Sequence, residues 1–431
     1  MDTELVDKYT LRSKNTPLVD FSLYSTKEEA LGTFGYTYSI KINKIYNENS
    51  ILFPKNLKVD DVSDNNLLKW IERRKAPKNR QFVDKILSAI EDSSNPLKYV
   101  DVSYALSLND CYWVTKESLK LDWKDINLYS HPFDTALSYV AFTGYSTKIS
   151  GLLTSPELTS SGALKKCWSN RDDGIYLIKG DSFFPRPDGR SQATMEFYAA
   201  QVADALGFEH INYDLEEFHH RNGDKEIVCV CKLFTTENEG YVEAATFFKD
   251  CGIDVSNADL SSLKLQQEFY KKIGPFYADM MLFDSIIANN DRHLGNFGVI
   301  VDNNTGKYLR HAPLFDNGSS LLYGAAPVEF TGDKKELFSS VSCKFFTLDR
   351  QAKLFVHKRH LEKVRKLLNF EFKKHPKYNI ADDTLKTIEQ FVRFRAKRTI
   401  ELYHEKEKEN LVFKTIKKKH KGKTRDDDFC R

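Results

Sequence analysis

The chain has 431 residues, of which 41% are hydrophobic, so it can bury a sizeable core in roughly two or three folded units. Its formal net charge of +3 gives no overall attraction to nucleic acid or to a membrane surface, and we do not expect direct nucleic-acid binding. No apolar run approaches the roughly 20 residues that span a bilayer, and the N-terminus lacks the apolar core of a signal peptide. The seven cysteines are not spaced like zinc ligands, which indicates free thiols in a reducing compartment and a cytoplasmic protein.

The first hundred residues predict mixed structure. The letters ILFP at 51–54 are typical of a strand, and 67–92 predict two amphipathic helices broken at Pro77. A basic cluster in this stretch either binds an anion or nucleic acid or, as is more common, forms a solvated helix face. The cluster comprises Arg73, Arg74, Lys75, Lys78 and Arg80. In residues 101–148 we expect aromatic side chains to pack this stretch against its neighbours, and we find no set of residues typical of a catalytic site.

A cluster of Ser, Thr and Gly at 152–170 leads into an alternating strand, IYLIKG at 175–180. Lys179 at the strand end is suited to contact the phosphates of ATP, and Leu177, two residues earlier, would cover the adenine. Alternatively, Lys179 only extends its charge into solvent. The loop residues that we predict to contact nucleotide are Thr159, Ser160, Ser161, Gly162, Ala163 and Lys166.

A helix is predicted from Gln192, with apolar residues at helical spacing and a stop at Gly207. Glu196 in its first turns would form the ion pair that positions a kinase lysine, or is an ordinary residue favoured by the helix dipole. A buried strand at 227–234 then runs into a polar connector, where a hinge between two lobes should fall. Backbone groups of the hinge would bind the adenine edge at Lys232, Leu233 and Phe234.

The loop NNDRHLGNFG follows a predicted long, apolar-striped helix at 265–289. Asp291 precedes Asn296 by five positions, the spacing of the catalytic base and metal ligand of protein kinases, and Asp316 lies in a turn after a hairpin-like segment. Phosphoryl transfer needs one carboxylate for the acceptor hydroxyl, and an amide and a second carboxylate for the metal. We therefore predict Asp291 as the catalytic acid/base and Asn296 and Asp316 as ligands of Mg²⁺, or Mn²⁺, although a solvated turn has a similar composition.

Five segments in this order resemble the HipA family of bacterial serine/threonine kinases over roughly 150–400: SPELTSSGALKK, YLIKG, the Glu196 helix, NNDRHLGNFGV and LFDNGSS. The resemblance implies an ATP- and Mg²⁺-dependent protein kinase that phosphorylates Ser/Thr hydroxyls, including its own. It implies a regulatory autophosphorylated serine in the loop. That position falls on Thr159 here, so Thr159, Ser160 and Ser161 are all candidates. By the same match, His293 would brace the catalytic loop. Family members occur in toxin–antitoxin pairs with a small DNA-binding antitoxin, and some target an aminoacyl-tRNA synthetase.

The fold implied is α+β and two-lobed, like a protein kinase, with a small β-rich N-lobe at 149–236 and a helical C-lobe at 237–411. Residues 1–148 would be an extra mixed region that the resemblance does not explain. A further helix is predicted at 384–410, followed by a basic, disordered tail at 412–431.

Two alternative functions remain open. The DRHxxN pattern at 291–296 also resembles the catalytic loop of phosphoinositide kinases, and the basic tail would suit an anionic lipid surface. The second alternative function is that of a nucleotide-binding pseudokinase or an interaction module. It is disfavoured because all the predicted catalytic and metal-binding side chains are present.

Overall fold

The computed structural model describes residues 3–30, 33–58, 61–88, 95–145, 155–181 and 186–423. The strands are β1 Thr3–Ser13, β2 Thr16–Ala30, β3 Thr33–Ile45, β4 Tyr112–Lys116, β5 Lys166–Arg171, β6 Gly174–Lys179, β7 Tyr213–His219, β8 Lys225–Lys232, β9 Glu239–Glu243, β10 Gly298–Asp302 and β11 Tyr308–His311. The helices are α1 Asp64–Arg74, α2 Val83–Ser88, α3 Lys98–Ser103, α4 Trp123–Ile126, α5 Thr135–Thr143, α6 Gln192–Leu206, α7 Ala244–Asp250, α8 Leu263–Ile273, α9 Pro275–Ile287, α10 Lys334–Ser339, α11 Leu348–Phe355, α12 Leu361–Arg365 and α13 Asp382–Lys423. Short 3₁₀ helices occur at Asn47–Leu52, Pro156–Leu158, Pro327–Thr331, Lys358–His360 and Lys366–Asn369.

The chain divides into two compact units, each assembled from three stretches of sequence. The first comprises Met1–Phe184, Ile211–Ala258 and Leu294–Phe315, and the second comprises Pro185–His210, Asp259–His293 and Asp316–Arg431. The strands of the described residues all lie in the first unit, and their pairing is antiparallel. The second unit is built from helices. The fold is therefore mixed α+β, as the sequence predicts. The domain boundaries at 149, 237 and 412 stay predictions.

The N-terminal sheet has the strand order β3-β2-β1-β4 and is centred on a long β1–β2 hairpin. Alternate residues of its strands form a buried face that packs with Leu67 and Ile71 of α1: Tyr9, Leu11, Phe21 and Leu23. The two helices predicted around Pro77 are confirmed as α1 and α2. The strand predicted at 51–54 is wrong, because Phe53 N–H donates to the Ser50 carbonyl at 3.3 Å and closes a 3₁₀ turn that buries Phe53.

The second sheet, in the order β5-β6-β8-β7, supports the small-residue loop that precedes β5. The strands predicted at 175–180 and 227–234 are confirmed as β6 and β8. The third sheet has the order β11-β10-β9. Its β10–β11 pair confirms the hairpin predicted between Asn296 and Asp316.

The second unit contains α6, which begins after the Ser191 cap and ends at Gly207 with φ +60°, as predicted. The long helix predicted at 265–289 is wrong, because α8 ends at Gly274 with φ +78° and Pro275 begins α9. Proline has no N–H to continue the earlier helix, and glycine adopts this positive φ without strain. The last helix, α13, includes 412–423 of the tail predicted to be disordered, and 424–431 lie outside the described residues.

The six cysteines among the described residues are free thiols, as the sequence predicts: Cys111, Cys167, Cys229, Cys231, Cys251 and Cys343. Across the described ranges, no helix has the length and apolarity needed to cross a bilayer.

Candidate active site

The predicted site residues fall in both units, and each set is described by itself. The first unit contains the loop residues 159–163, Lys166, Leu177, Lys179, 232–234 and Asn296. The second unit contains Glu196, Asp291, His293 and Asp316.

The small-residue loop of the first unit is held by a buried ion pair that the sequence did not reveal. Arg80 Nη2 lies 2.8 Å from Glu157 Oε2, and both side chains are fully buried. The same guanidinium donates to the carbonyl of Lys166 at 3.0 Å, and the other Glu157 oxygen accepts from Trp168 N–H at 2.7 Å. Burial raises the pKa of Glu157, and the Arg80 charge opposes the rise. The pair fixes both ends of the loop against β5.

The three loop hydroxyls differ in exposure. Thr159 is buried and donates to the Leu106 carbonyl at 2.6 Å, and Ser160 is buried and donates to the Pro156 carbonyl at 2.8 Å. Ser161 and the next two residues, Gly162 and Ala163, are exposed. Gly162 has φ +88°, a conformation that side chains disfavour, and its lack of a Cβ leaves room for the Lys166 ammonium, with which a Cβ at this position would clash. Ser161 is therefore the accessible hydroxyl of the three.

Two lysines sit opposite one another at the end of the β5–β6 hairpin. Lys166 pairs with Lys179 in the strand register, and both are buried. Lys166 Nζ donates to the carbonyl of Ser161 at 2.7 Å. The strand register therefore brings a second lysine beside the one whose ammonium contacts the loop, and ammonium groups suit phosphate oxygens.

The predicted adenine contacts lie on the same sheet. Leu177 is half-buried and pairs with Trp168 on one side and Cys231 on the other. Leu233 N–H already donates to the Ile175 carbonyl at 2.8 Å, so this N–H cannot also donate to an adenine. Its neighbour Lys232 is exposed, and Lys232 Nζ lies 3.7 Å from Asp173 Oδ2.

Phe234 stacks on Phe315 with ring centroids 5.6 Å apart, and both rings contact Tyr241 edge-on. Phe315 directly precedes Asp316 in the chain. This aromatic cluster fixes the position from which the chain leaves the first unit towards the predicted metal ligand.

Asn296 is buried in a short loop of the first unit that is held by α7 and β9. Ala245 N–H donates to the Leu294 carbonyl at 3.2 Å, and Ala244 N–H donates to the Phe297 carbonyl at 2.9 Å. Tyr241 Oη donates to the Gly295 carbonyl at 3.1 Å. The backbone on both sides of Asn296 is thus fixed.

In the second unit, Asp291 and His293 are exposed on either side of the buried Arg292. Arg292 Nε and Nη2 each lie 3.0 Å from the carboxylate of Asp284 in α9, and both side chains are 1% exposed. Burial disfavours the Arg292 charge, but the Asp284 carboxylate outweighs this and raises the pKa of Arg292. The ion pair attaches the predicted catalytic loop to the most buried helix of the unit.

The turn that carries Asp316 joins the same network. Arg292 Nη2 donates to Asn317 Oδ1 at 2.6 Å, and Asn317 N–H donates to Glu196 Oε2 at 2.7 Å. Glu196 and Asn317 are each 1% exposed. Asp316 itself has φ +59°, a left-handed conformation that Asp tolerates better than most residues. Glu196 therefore anchors the Asp316 turn, a contact that the sequence did not predict.

We refer to Asp284, Arg292, Asn317 and Glu196 as the loop-anchoring network. The sequence identified only Glu196 of its four members. An Asp within an otherwise apolar helix was the available signal, because a buried carboxylate requires a partner.

A cavity of about 320 Å³ in the second unit is lined by residues next to both loops. Asn290 N–H, one residue before Asp291, donates to the Ser319 carbonyl at 3.3 Å, and both residues line the cavity. The lining is rich in hydroxyls, including Ser320, Tyr323, Ser340 and Ser342, and Glu329 is the charged residue among those described there. The cavity can take a polar group beside Asp291.

Among the described residues, no cluster of three or more His, Cys, Asp or Glu side chains could hold a metal by itself. Asn296 and Asp316 offer oxygen ligands only, which suit a hard cation such as Mg²⁺. Either residue alone would supply only part of a coordination shell, so a bound metal would need further oxygens, such as those of a phosphorylated ligand.

Comparison with known proteins finds a sequence relative. Over 161 residues the chain is 27% identical to the serine/threonine-protein kinase CtkA of Helicobacter pylori. The match covers 34% of this chain and 47% of that protein, so the chain spans about half the length of the curated relative. No family model matches the chain. The sequence match supports the resemblance to serine/threonine kinases that the motifs indicate.

Two solved structures are also similar. The crystal structure of the H. pylori proinflammatory kinase CtkA has a TM-score of 0.43 and 18% identity, over 56% of this chain and 91% of that one. HipA of Shewanella oneidensis MR-1, in a toxin–antitoxin complex with HipB and operator DNA, has a TM-score of 0.48 and 10% identity, over 91% of this chain and 99% of that one. Both scores are too low to establish a shared fold.

Proposed function

We propose that the protein is a two-lobed, ATP- and Mg²⁺-dependent serine/threonine kinase of HipA type that also phosphorylates itself. The observation that carries the proposal is the loop-anchoring network, which fixes the loops of Asp291 and Asp316 to each other and to α9 through buried charges. Turns of ordinary solvated loops do not need such anchoring. The sequence similarity to a serine/threonine kinase supports the same reaction class.

Asp291 would orient the acceptor hydroxyl and accept its proton. The hydroxyl oxygen attacks the γ-phosphorus, the bond between that phosphorus and the bridging oxygen of ADP breaks, and the proton passes to the Asp291 carboxylate. The side chain of Asp291 is exposed, and the neighbouring hydroxyl-lined cavity offers room for the acceptor residue. Catalysis of this kind depends mainly on positioning.

The residues present fit Mg·ATP. Bound Mg²⁺ would neutralise charge on the phosphates, with Asn296 and Asp316 supplying its protein oxygens. Lys166 and Lys179 would hold phosphate oxygens, and the exposed Gly162 would allow the loop backbone to approach them. Leu177 and the 232–234 segment would contact the adenine, with the Leu233 N–H excluded because it already donates to the Ile175 carbonyl.

The test is transfer of radiolabel from γ-labelled ATP in the presence of Mg²⁺, with a generic basic protein and phosphoinositide vesicles as separate acceptors. We expect label on Ser or Thr of the protein acceptor and of the enzyme, and none with Asp291→Asn. Label on the lipid alone would favour the phosphoinositide-kinase alternative. Nucleotide binding without transfer to any acceptor would favour the pseudokinase.

A cytoplasmic location and a small DNA-binding antitoxin partner are further parts of the proposal. The S. oneidensis HipA structure contains HipB and operator DNA, and a comparable partner here would be detected by co-purification when the neighbouring gene is co-expressed. Absence of any co-purifying DNA-binding protein encoded next to this gene would remove the antitoxin from the proposal and leave the kinase reaction untouched.

A further inference from the structure

A polar cavity of about 220 Å³ lies entirely within the first unit and is separate from the residues assigned to Mg·ATP except at the small-residue loop. Its walls come from 54–56, α1, β4, the loop residues Thr159 and Ser161, and the β9–β10 pair. The lining carries amides and hydroxyls, including Asn56, Asn109, Thr246 and Asn303. Its volume is below the roughly 300–1,000 Å³ of pockets for drug-sized ligands, so its ligand would be small.

The basic cluster at 73–80 contributes to this cavity in a way that the sequence left open. Arg80 forms its ion pair with Glu157. Arg74 forms a bidentate ion pair with Asp110, with distances of 2.7 and 2.9 Å, and also donates to the Ala105 carbonyl. Arg73 lines the cavity and is exposed, and within the described part of the chain no hydrogen bond or ion pair holds it. Its guanidinium is therefore available to a ligand.

Lys55 is the second available cation of the cavity. Its Nζ lies 4.9 Å from the ring centroid of Tyr308, and no carboxylate within the described residues forms an ion pair with it. Burial lowers the pKa of Lys55, because the ammonium has lost part of its hydration. An anion placed beside Lys55 would restore the lost stabilisation of its charge.

We propose that this cavity binds a small phosphate ester, with Arg73 and Lys55 as its charged ligands. Two cations balance a doubly charged phosphate, whereas a carboxylate would need only one. Glu243 also lines the cavity and accepts a hydrogen bond from Thr246 at 3.4 Å. The organic part of the ligand must therefore present donors, such as hydroxyls, to this carboxylate and to the amide oxygens.

Ligand binding in this cavity would affect the small-residue loop. Thr159 and Ser161 form part of its wall, so a ligand there would hold the loop in the conformation described. The proposal does not depend on phosphoryl transfer, because binding can be measured without ATP.

The experiment is isothermal titration calorimetry with three probes: inorganic phosphate, glycerol 1-phosphate and glycerol. We expect glycerol 1-phosphate to bind more tightly than phosphate, and glycerol not to bind. Arg73→Ala and Lys55→Ala should each weaken glycerol 1-phosphate by at least about tenfold. The matched control is Lys78→Ala, which removes an exposed cation of the same cluster that does not line the cavity and should change affinity by less than about twofold.

Three outcomes would overturn the proposal. The first is absence of binding by both phosphate compounds. The second is unchanged affinity in Arg73→Ala and Lys55→Ala, with unfolding midpoints like the parent confirming that these variants fold. The third is loss of binding in Lys179→Ala with retention in Arg73→Ala, which would assign the phosphate to the nucleotide loop instead.

Discussion

Replacing Arg292 by methionine tests the loop-anchoring network most directly. The substitution keeps an unbranched, apolar stem of similar length and removes the guanidinium. Asp284 would then remain as a buried carboxylate, 1% exposed, whose remaining side-chain donor is Asn289 at 3.1 Å. An amide donor cannot neutralise the charge, so most of the cost of burying it returns.

The expected loss follows from the burial of both partners. Removing one partner of a buried ion pair costs about 3–5 kcal/mol. The substitution also removes the hydrogen bond from Arg292 to Asn317 Oδ1. We add no separate cost for this bond, because the energies of contacts within one network are not additive. The double variant Asp284→Leu/Arg292→Met should recover at least half of the loss, since no unpaired charge remains.

The assay is denaturant unfolding followed by circular dichroism, with kinase activity measured in parallel. The matched control is Arg310→Met, which removes the same group from an exposed pair with Glu239 whose side chains are 44% and 31% exposed. Exposed pairs contribute at most about 1 kcal/mol, so this control should change little. A loss below about 1 kcal/mol for Arg292→Met, or no recovery in the double variant, would refute the reasoning.

Three further predictions concern chemistry and pH. Asp291→Asn and Asp316→Asn should each lower transfer from ATP by at least about 100-fold with an unchanged unfolding midpoint, and activity near the parent's would remove that residue from the mechanism. After incubation with Mg·ATP, phosphopeptide mapping should find phosphate on the exposed Ser161, and phosphate only on the buried Thr159 would contradict this. Burial lowers the pKa of His357 from 6.5 to about 4, so the unfolded chain takes up a proton first and stability should fall as pH drops from about 6.5 towards 4. A denaturation series over this window should show a shallower fall for His357→Gln, and an equal slope would count against the assignment.

Local structure in the middle of the chain was predictable because its signals are local. The alternation around Lys179 and the helical spacing from Gln192 to Gly207 each depend on neighbouring residues, and both elements form as expected. The break at Gly274 was also present in the letters Gly-Pro, a turn signal that the apolar stripe on both sides obscured.

The contacts that build the candidate site could not be read in the same way. Arg80 and Glu157 are separated by 77 positions and Arg292 and Asn317 by 25, and single-sequence spacing does not indicate which charges meet. The basic cluster shows this clearly. Its arginines look alike in sequence, yet Arg74 and Arg80 are held in internal ion pairs while Arg73 is exposed at a cavity.

The pairing of Arg80 with Glu157 limits how the protein can be dissected. A fragment beginning at 149, where the kinase-like part was expected to start, would retain Glu157 but would lack the guanidinium and the backbone donors of Ala76 and Gln81 to Leu158 and Ala163. It would also lack the apolar residues before 149 that pack on Leu158. Such a fragment would leave the Glu157 carboxylate without its charged partner and would expose Leu158. We therefore expect that a shortened version of the proposed kinase needs the N-terminal residues, either in one chain or added back as a complementing fragment.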